Sequence, residues 1–338
     1  MRVAILVESW GEPWNEGYKN LAKYIVEAVN SSVNMTVIPA NKVGFTTLED
    51  FDLIHIFNYS VPLHLFPYFV RRRRPVVKHV AKKELDIGIR PFVTTLLNTK
   101  LLWDTFIVTT PILREEIRRL TKGKPVFCLP PPIPTSYFKK LNKEECRQTL
   151  GLEPNTLYIG YTGTLNRFRD LGIIARALKL INNEKVKLVL SLTNITSEKF
   201  ADLKKFLMTN RVKFVNVKDV RLFYSSVDLL IYPVAREGAV EPPLTLLEAM
   251  SSGCAVAAYK NVVNSNVISN GHNGFLFSSV ESLAEIINNL IKEEFDIEVV
   301  ARNARKTIIE NYDSSILRKS YIELYEKIIS KDNLFKIS

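Results

Sequence analysis

Hydrophobic residues along this chain fall into short unbroken runs, and between the runs they recur at every third or fourth place. An unbroken run is the form of a strand buried on both faces, and the three-to-four spacing is that of a helix with one buried face. The first set of runs is Arg2–Val7, Thr36–Pro39, Leu53–Phe57, Val76–Val80, Thr105–Thr110 and Pro125–Leu129. After the first of them, Leu21, Ile25, Ala28 and Val29 share one face, which predicts a helix from about Tyr18 to Val29. The second set is Leu157–Thr162, Val186–Leu192, Val212–Val217, Asp228–Tyr232, Cys254–Tyr259 and Gly274–Phe277. A helix over Lys143–Leu150, stopped by Gly151, leads into it. Another follows Asp170 as N-cap, with Leu171, Ile174, Leu178 and Ile181 on one face. Near the C-terminus, Tyr321, Leu324, Tyr325 and Ile328 are in helical register.

Strands alternating with helices describe a doubly wound α/β domain, and the chain carries the pattern twice. Between the sets lies Pro130-Pro-Pro-Ile-Pro134, which can enter neither a helix interior nor a central strand and so reads as a stiff crossing. The expected layout is a first Rossmann-like domain over 1–134, a second over 135–311, and a helix over 312–338 that packs back toward the first. A cleft between the two domains is a common place for a ligand. No short-period repeat is present, which removes solenoids and propellers.

Composition narrows the class. At 338 residues, 46% hydrophobic and 24% charged, the chain is an ordinary globular protein. Cys128, Cys146 and Cys254 lie far apart in apolar surroundings and read as buried free thiols, with neither a zinc site nor a disulfide framework. The N-terminus has no secretory h-region, and no run approaches the ~18 apolar residues of a membrane span, so a cytoplasmic protein is expected. A net charge of +11 favours an anionic partner. Nucleic acid would need a recognisable module, and none is present.

The richest stretch is Glu237–Gly253, with the run Asp228–Tyr232 before it and Cys254–Tyr259 after it. It reads as strand, acidic loop, short helix, strand, and so stands where open α/β sheets bind ligands. Pro243 suits the first helical position, so that Leu244 and Thr245 would offer free N–H groups. Glu248, one turn in, is acceptor-only and suits a pair of sugar hydroxyls, or else simply complements the helix dipole. Glu237 and Glu241 read either as site carboxylates or as a solvated acidic loop.

Other candidates follow the first strand of each set. In Gly163-Thr164-Leu-Asn-Arg167-Phe-Arg169-Asp170 a strand runs into a Gly turn, two arginines and a capped helix. Arg167 and Arg169 beside free amides would hold a diphosphate, or else lie solvated in a surface loop. Gly17, at the end of the loop from Trp10, lets a ligand approach a helix N-terminus or simply serves the turn. The dinucleotide fingerprint is missing there. Leu63–Arg74 joins apolar and aromatic residues to four arginines. It fits contact with an anionic membrane, or a core helix and solvated turn, which Pro67 favours slightly. His55, His64, His79 and His272 form no metal motif; His79 ends a strand facing the cleft and reads as a packed histidine more readily than as a substrate contact.

Together these motifs resemble the retaining, nucleotide-sugar-dependent glycosyltransferases of the GT-B fold, specifically the large family-four group. Glu241-Pro-Pro-Leu-Thr-Leu-Leu-Glu248-Ala-Met-Ser-Ser-Gly-Cys-Ala-Val is similar to that group's acidic loop and its Leu-Glu-Ala-Met helix. Asn270–Phe277, Pro-Trp-Asn15-Glu-Gly17 and Pro130–Pro134 with Phe138 resemble further family segments, so the likeness covers nearly the whole chain. The resemblance implies donor binding by the second domain and acceptor binding mainly by the first. It implies sugar transfer in the cleft with the anomeric configuration retained and no metal or other cofactor. Glu248 would hold the nucleotide ribose. The amides of Leu244 and Thr245, with a basic residue of the Gly163 loop, would hold the diphosphate.

The chain departs from the family pattern at three places. Val240 stands where the family's first glutamate is expected, with Glu241 one residue later. Thr164 replaces an arginine and Arg169 occupies the lysine position. Pro132 replaces the glycine of the crossing. The expectation is therefore that Arg169, Arg167 and Glu241 carry catalysis, and that Gly17, Gly163, Thr164, Leu244, Thr245 and Glu248 bind the nucleotide sugar. The acceptor would be a glycan or a lipid-linked molecule, with peripheral membrane contact as a secondary expectation. The alternatives are an inactive nucleotide-sugar-binding protein of the same fold and, behind it, a nucleotide-sugar epimerase.

Overall fold

The computed structural model describes residues 1–12, 16–39, 42–43, 48–57, 74–82, 103–121, 123–164, 169–181, 183–193, 211–234 and 240–335. The chain divides into two units, one of Met1–Pro134, Gly238–Pro242 and Tyr312–Ser338, the other of Thr135–Glu237 and Pro243–Asn311.

In the first unit the apolar runs become β1 (Arg2–Val7), β2 (Asn34–Pro39), β3 (Leu53–Ile56), β4 (Val76–Val80), β5 (Thr105–Val108) and β6 (Val126–Cys128). They form one parallel sheet in the order β2-β1-β3-β4-β5-β6. Every residue of β3, β4 and β5 is buried, as expected for parallel strands covered on both faces. Helices α1 (Gly17–Val29) and α2 (Pro111–Thr121) belong to this unit. The chain leaves β1 for β2 on one side and leaves β3 for β4 on the other, so the topological switch point lies between β1 and β3.

The second unit repeats the plan. After α3 (Lys143–Thr149) come β7 (Leu157–Thr164), α4 (Leu171–Leu180), β8 (Val186–Thr193), β9 (Val212–Phe214), α5 (Val220–Ser226) and β10 (Leu229–Tyr232). Then follow α6 (Leu244–Ser251), β11 (Ala255–Tyr259), α7 (Val262–Ser265), β12 (Phe275–Phe277), α8 (Val280–Ile291) and α9 (Ile297–Tyr312). The sheet is parallel, in the order β12-β11-β10-β7-β8-β9. Its core joins Ile159, Ile174, Leu188, Leu229, Ala257 and Ile287, each almost fully removed from water. Burying one such Leu or Ile side chain is worth about 1.5–3 kcal/mol, so this apolar pattern is what selects the fold.

The last helix, α10 (Ser314–Phe335), counts with the first unit. Tyr321, Leu324, Tyr325 and Ile328 are buried on it, as their spacing predicts. Two local readings are corrected. β7 does not stop at Thr162: Gly163 and Thr164 continue it, paired with Leu192 and Thr193 of β8, because a long neighbouring strand supplies partners that sequence does not reveal. Pro243 is the N-cap of α6 rather than its first helical residue, with ψ at 120°, and Leu244 is the first. Of the three free cysteines, Cys146 and Cys254 are buried and Cys128 is half-buried.

Candidate active site

The second unit's switch point lies between β7 and β10, which are hydrogen-bonded neighbours whose chains depart to β8 on one side and β11 on the other. The loops leaving their carboxyl ends therefore flank the crevice where open α/β sheets take ligands. Gly163 and Thr164 end β7 and Arg169 lies in the segment after it, while the loop after β10 leads to Leu244, Thr245 and Glu248. The two segments are joined directly, since the backbone N–H of Asp170 donates to the carbonyl of Pro233 at 3.1 Å.

Asp170 caps α4, its side chain accepting from the N–H of Ile173. The residue before it, Arg169, lies over the ring of Tyr232, the last residue of β10, at 5.0 Å. Stacking a guanidinium on an aromatic face fixes it while leaving its N–H fork unspent. One terminal nitrogen of Arg169, Nη1, is buried and has no hydrogen-bond partner. Tyr161 completes this corner. Burial pushes its phenol up to about 12 although the charge of Arg169 pulls the other way, so at neutral pH it stays a donor and gives its proton to the carbonyl of Thr164 at 2.7 Å. Gly163 has φ +135°, a backbone shape that side-chain-bearing residues rarely adopt.

Across the switch point, α6 begins without a side-chain cap. The carbonyl of Pro243 accepts from Leu246 and Leu247, while the N–H groups of Leu244 and Thr245 sit in the first turn, where a helix supplies no internal partner. Together with the helix dipole they form an anion-binding end. Except for Thr245, every residue of the helix is buried, so its position is set by packing. Glu248 is 6% exposed and accepts a hydrogen bond from Tyr224 at 3.0 Å. Its carboxylate in turn helps to keep the Tyr224 phenol protonated, behind the larger effect of burial.

Two candidates lie in the first unit. Gly17 begins α1, and a Cβ there would come within 2.7 Å of Cγ2 of Val240. The glycine is thus required by the close approach of Val240. Glu241 is 3% exposed and is joined to Pro242 by a cis peptide bond. Its N–H donates to the carbonyl of Ala81 at 2.7 Å, and the N–H of Ala81 donates to the hydroxyl of Tyr18. Gly17, Tyr18, Ala81, Val240 and Glu241 therefore form one cluster at the carboxyl end of the first sheet. Arg167, Glu237, Asn15 and Leu63–Arg73 lie outside the described residues. Among the described residues no three His, Cys, Asp or Glu side chains are grouped as metal ligands, and no helix is long and apolar enough to cross a membrane.

Residues 156–293, which contain both loops of the second switch point, match the family model described as Glycosyl transferases group 1. Over this stretch, less than half its length, the chain is similar to that family. It is 23% identical over 181 residues to the capsular polysaccharide biosynthesis glycosyltransferase CapM of Staphylococcus aureus, covering 51% of this chain and 47% of CapM. The chain thus spans about half the length of that relative. With the spore coat protein SA of Bacillus subtilis it shares 24% identity over 305 residues, 82% of this chain and 78% of that one. Among solved structures, HepE of Anabaena in complex with UDP and glucose superposes with a TM-score of 0.82 at 17% identity, covering 97% of this chain and 100% of HepE. Sucrose-phosphate synthase from Thermosynechococcus elongatus gives 0.77 at 16% identity, covering 98% and 99%. The fold is that of the GT-B glycosyltransferases, as the sequence motifs implied.

Sequence reasoning missed the tyrosines packed around this candidate site. Tyr232 ends an apolar run and Tyr161 sits inside one, so both read as core. Tyr224 lies 24 residues from Glu248, and nothing in its neighbourhood marks it.

Proposed function

We propose that the chain transfers a sugar from a nucleoside-diphosphate donor to an acceptor hydroxyl, with retention and without a metal ion, and that UDP-glucose serves as a donor. The observation that carries this reading is the second unit's switch point. Two helix N-termini flank it, their loops are tied by the Asp170–Pro233 hydrogen bond, and a stacked, partly buried Arg169 stands beside them with an uncommitted N–H. Such an arrangement suits a diphosphate better than any neutral group. The complex of HepE with UDP-glucose, a protein of the same fold covered over its whole length, supports the choice of donor.

In this reading Arg169, with Arg167, and the amides of Leu244 and Thr245 neutralise the charge that develops on the departing diphosphate, the usual task of preorganised dipoles and cations. The bond from the anomeric carbon to the diphosphate oxygen breaks, and its electron pair stays with that oxygen. The acceptor hydroxyl attacks from the same face of the oxocarbenium-like sugar, its proton passing to the departing diphosphate oxygen, and no protein nucleophile is assigned. Glu248, aligned by Tyr224, accepts hydrogen bonds from the ribose hydroxyls. Gly163 and Thr164 let the backbone approach the donor. Gly17 and Glu241, on the first unit, serve the sugar, and Glu241 takes over from the carboxylate that Val240 has displaced. The first unit binds the acceptor, a glycan or lipid-linked molecule, on the cytoplasmic side.

The test is to incubate the protein with UDP-glucose and other nucleotide sugars and to measure nucleotide release with and without acceptor extract. Release that depends on acceptor is expected. Tight binding with no release under any acceptor would favour a binding protein that has kept the fold and lost transfer. Absence of nucleotide-sugar binding would overturn the reading.

A further inference from the structure

The helix whose start faces the candidate donor site, α6, is held at its other end by a residue far along the chain. The last four carbonyls of a helix have no partner within it. In α6 three of them are met locally. The N–H of Ser252 donates to Glu248, that of Gly253 to Met250 and that of Cys254 to Ala249, with Gly253 in the left-handed region at φ +69°. One carbonyl is left over, that of Ser251, in a residue wholly removed from water. Nη1 of Arg305, on α9, donates to it and also to the carbonyl of Phe138, the latter at 2.9 Å. The hydroxyl of Ser251 donates to the same Phe138 oxygen at 2.8 Å. Arg305, Phe138 and Ser251 thus close a ring of hydrogen bonds around the end of α6.

The other two members of the ring are fixed without help from α6. On α9, Val300, Ala301, Ala304 and Ile308 are buried. Lys140, two residues after Phe138, pairs with Glu298 of α9, and the N–H of Leu141 donates to Ser225 of α5. Apolar burial, which surrounds α6, is non-directional and resists sliding or turning of a helix only weakly. Hydrogen bonds set distance and angle narrowly. The last turn of α6 has no basic residue of its own, so Arg305 also supplies the positive charge that the carbonyl end of the helix dipole favours. A helix of this length spans only about 12 Å, so a shift at Ser251 carries through to the N–H groups of Leu244 and Thr245.

We propose that Arg305 is a positioning residue for the donor: by pinning the carbonyl end of α6 to Phe138 and α9, it sets where the N–H groups of Leu244 and Thr245 stand against the diphosphate. Arg305 acts through α6 and not on the ligand. The identity of the ligand rests on the function proposed above; the pin does not.

The experiment uses the full-length protein and three variants. Arg305→Met keeps the length of the side chain without its donors or charge, Arg305→Lys keeps both, and Ile308→Ala removes apolar packing from α9 but no hydrogen bond. Hydrogen exchange is followed across α6, and UDP and uridine are titrated separately. In Arg305→Met the amides of Ser252, Gly253 and Cys254 should exchange faster. UDP should bind roughly fivefold more weakly, the scale of one favourable contact at a helix terminus. Uridine, which lacks the diphosphate, should bind as it does to wild type, because Glu248 is held separately by Tyr224. Arg305→Lys should recover most of the UDP affinity. Ile308→Ala should lower the melting temperature and leave the ratio of UDP to uridine affinity unchanged. Equal weakening of UDP and uridine in Arg305→Met, or the same loss of UDP affinity in Ile308→Ala, would make Arg305 a general support of the fold and overturn the proposal. Unchanged exchange with unchanged UDP affinity in Arg305→Met would also sink it. If Arg305→Met does not fold, Ser251→Ala, which removes only the hydroxyl's bond to Phe138, should show the same selective loss in smaller measure, and wild-type UDP affinity there would count against the pin. Wild-type protein that binds no UDP would overturn the donor reading, and exchange in Arg305→Met would then decide the pin alone.

Discussion

The two units are built on one plan and carry opposite kinds of polar group at their strand ends. At the second unit's switch point the polar groups are charged or dipolar: Arg169 over Tyr232, and the uncapped start of α6. At the carboxyl end of the first unit's β3 and β4 they are neutral, since burial keeps His55 and His79 unprotonated, with His55 pushed down to about 3. A cation beside helix N-termini selects anions. Neutral rings in an apolar setting bond by direction, one donor to one acceptor. The same doubly wound sheet thus carries a charged, dipolar strand end in one unit and a neutral, buried polar row in the other. The difference lies in which side chains the strand ends carry, not in topology.

The comparison breaks most visibly at Arg169. Replacing it by Ala should lower kcat by two to three orders of magnitude, roughly what loss of one preorganised charge-stabilising group costs, with the circular dichroism spectrum unchanged. Wild-type turnover in that variant would remove the anion-sensing assignment. Glu248→Ala comes next. It removes a buried carboxylate and orphans the Tyr224 hydroxyl, so a loss of about 2 kcal/mol in nucleotide affinity is expected by titration with UDP, and Glu248→Gln should lose less.

Gly17→Ala tests the first unit's packing. The added Cβ would meet Val240 at 2.7 Å, so a stability loss of about 1–3 kcal/mol is expected in denaturant titration, and Val240→Ala in the same chain should recover most of it. If the single variant is as stable as wild type, the glycine is not there for Val240. The neutral histidines make a pH prediction. In the unfolded chain they protonate near 6.5, whereas folded His55 waits until about 3, so the unfolded state binds more protons between these values. Stability should therefore be full above 6.5 and fall as the pH drops below it, by up to ~1.4 kcal/mol per pH unit for each ring. Lys78, whose charge adds to the depression of His79, acts in the same sense. His55→Gln should flatten the slope measured between pH 7 and pH 5. The smallest effect belongs to chelation: EDTA should leave UDP release unchanged.

Legibility differed by kind of feature. All twelve expected strands are present, because strands covered on both faces must be apolar at every position, and that requirement is written directly in the residues. Asp170 as a cap was legible for a similar reason, since its side chain bonds only three residues away. The extension of β7 through Thr164 was not, because it depends on β8 being long enough to pair with it. The one-residue displacement from Val240 to Glu241 was visible as a departure. Its meaning was not: only the folded chain brings Val240 against Gly17 and Glu241 to Ala81.

The sequence by itself determined the two parallel sheets, the helix after Pro243 with Glu248 one turn in, and the basic loop after β7. Each depends on local spacing and on hydrophobic periods that do not need a distant partner. Tertiary structure alone decided which tyrosines align the site and which histidines share a proton row. Tyr325 lies 270 residues from His55, and His55 lies 24 from His79. A hydrogen bond between side chains so far apart in the chain leaves no trace in either one's neighbourhood. It exists only because hydrophobic burial has already fixed β3, β4 and α10 in place.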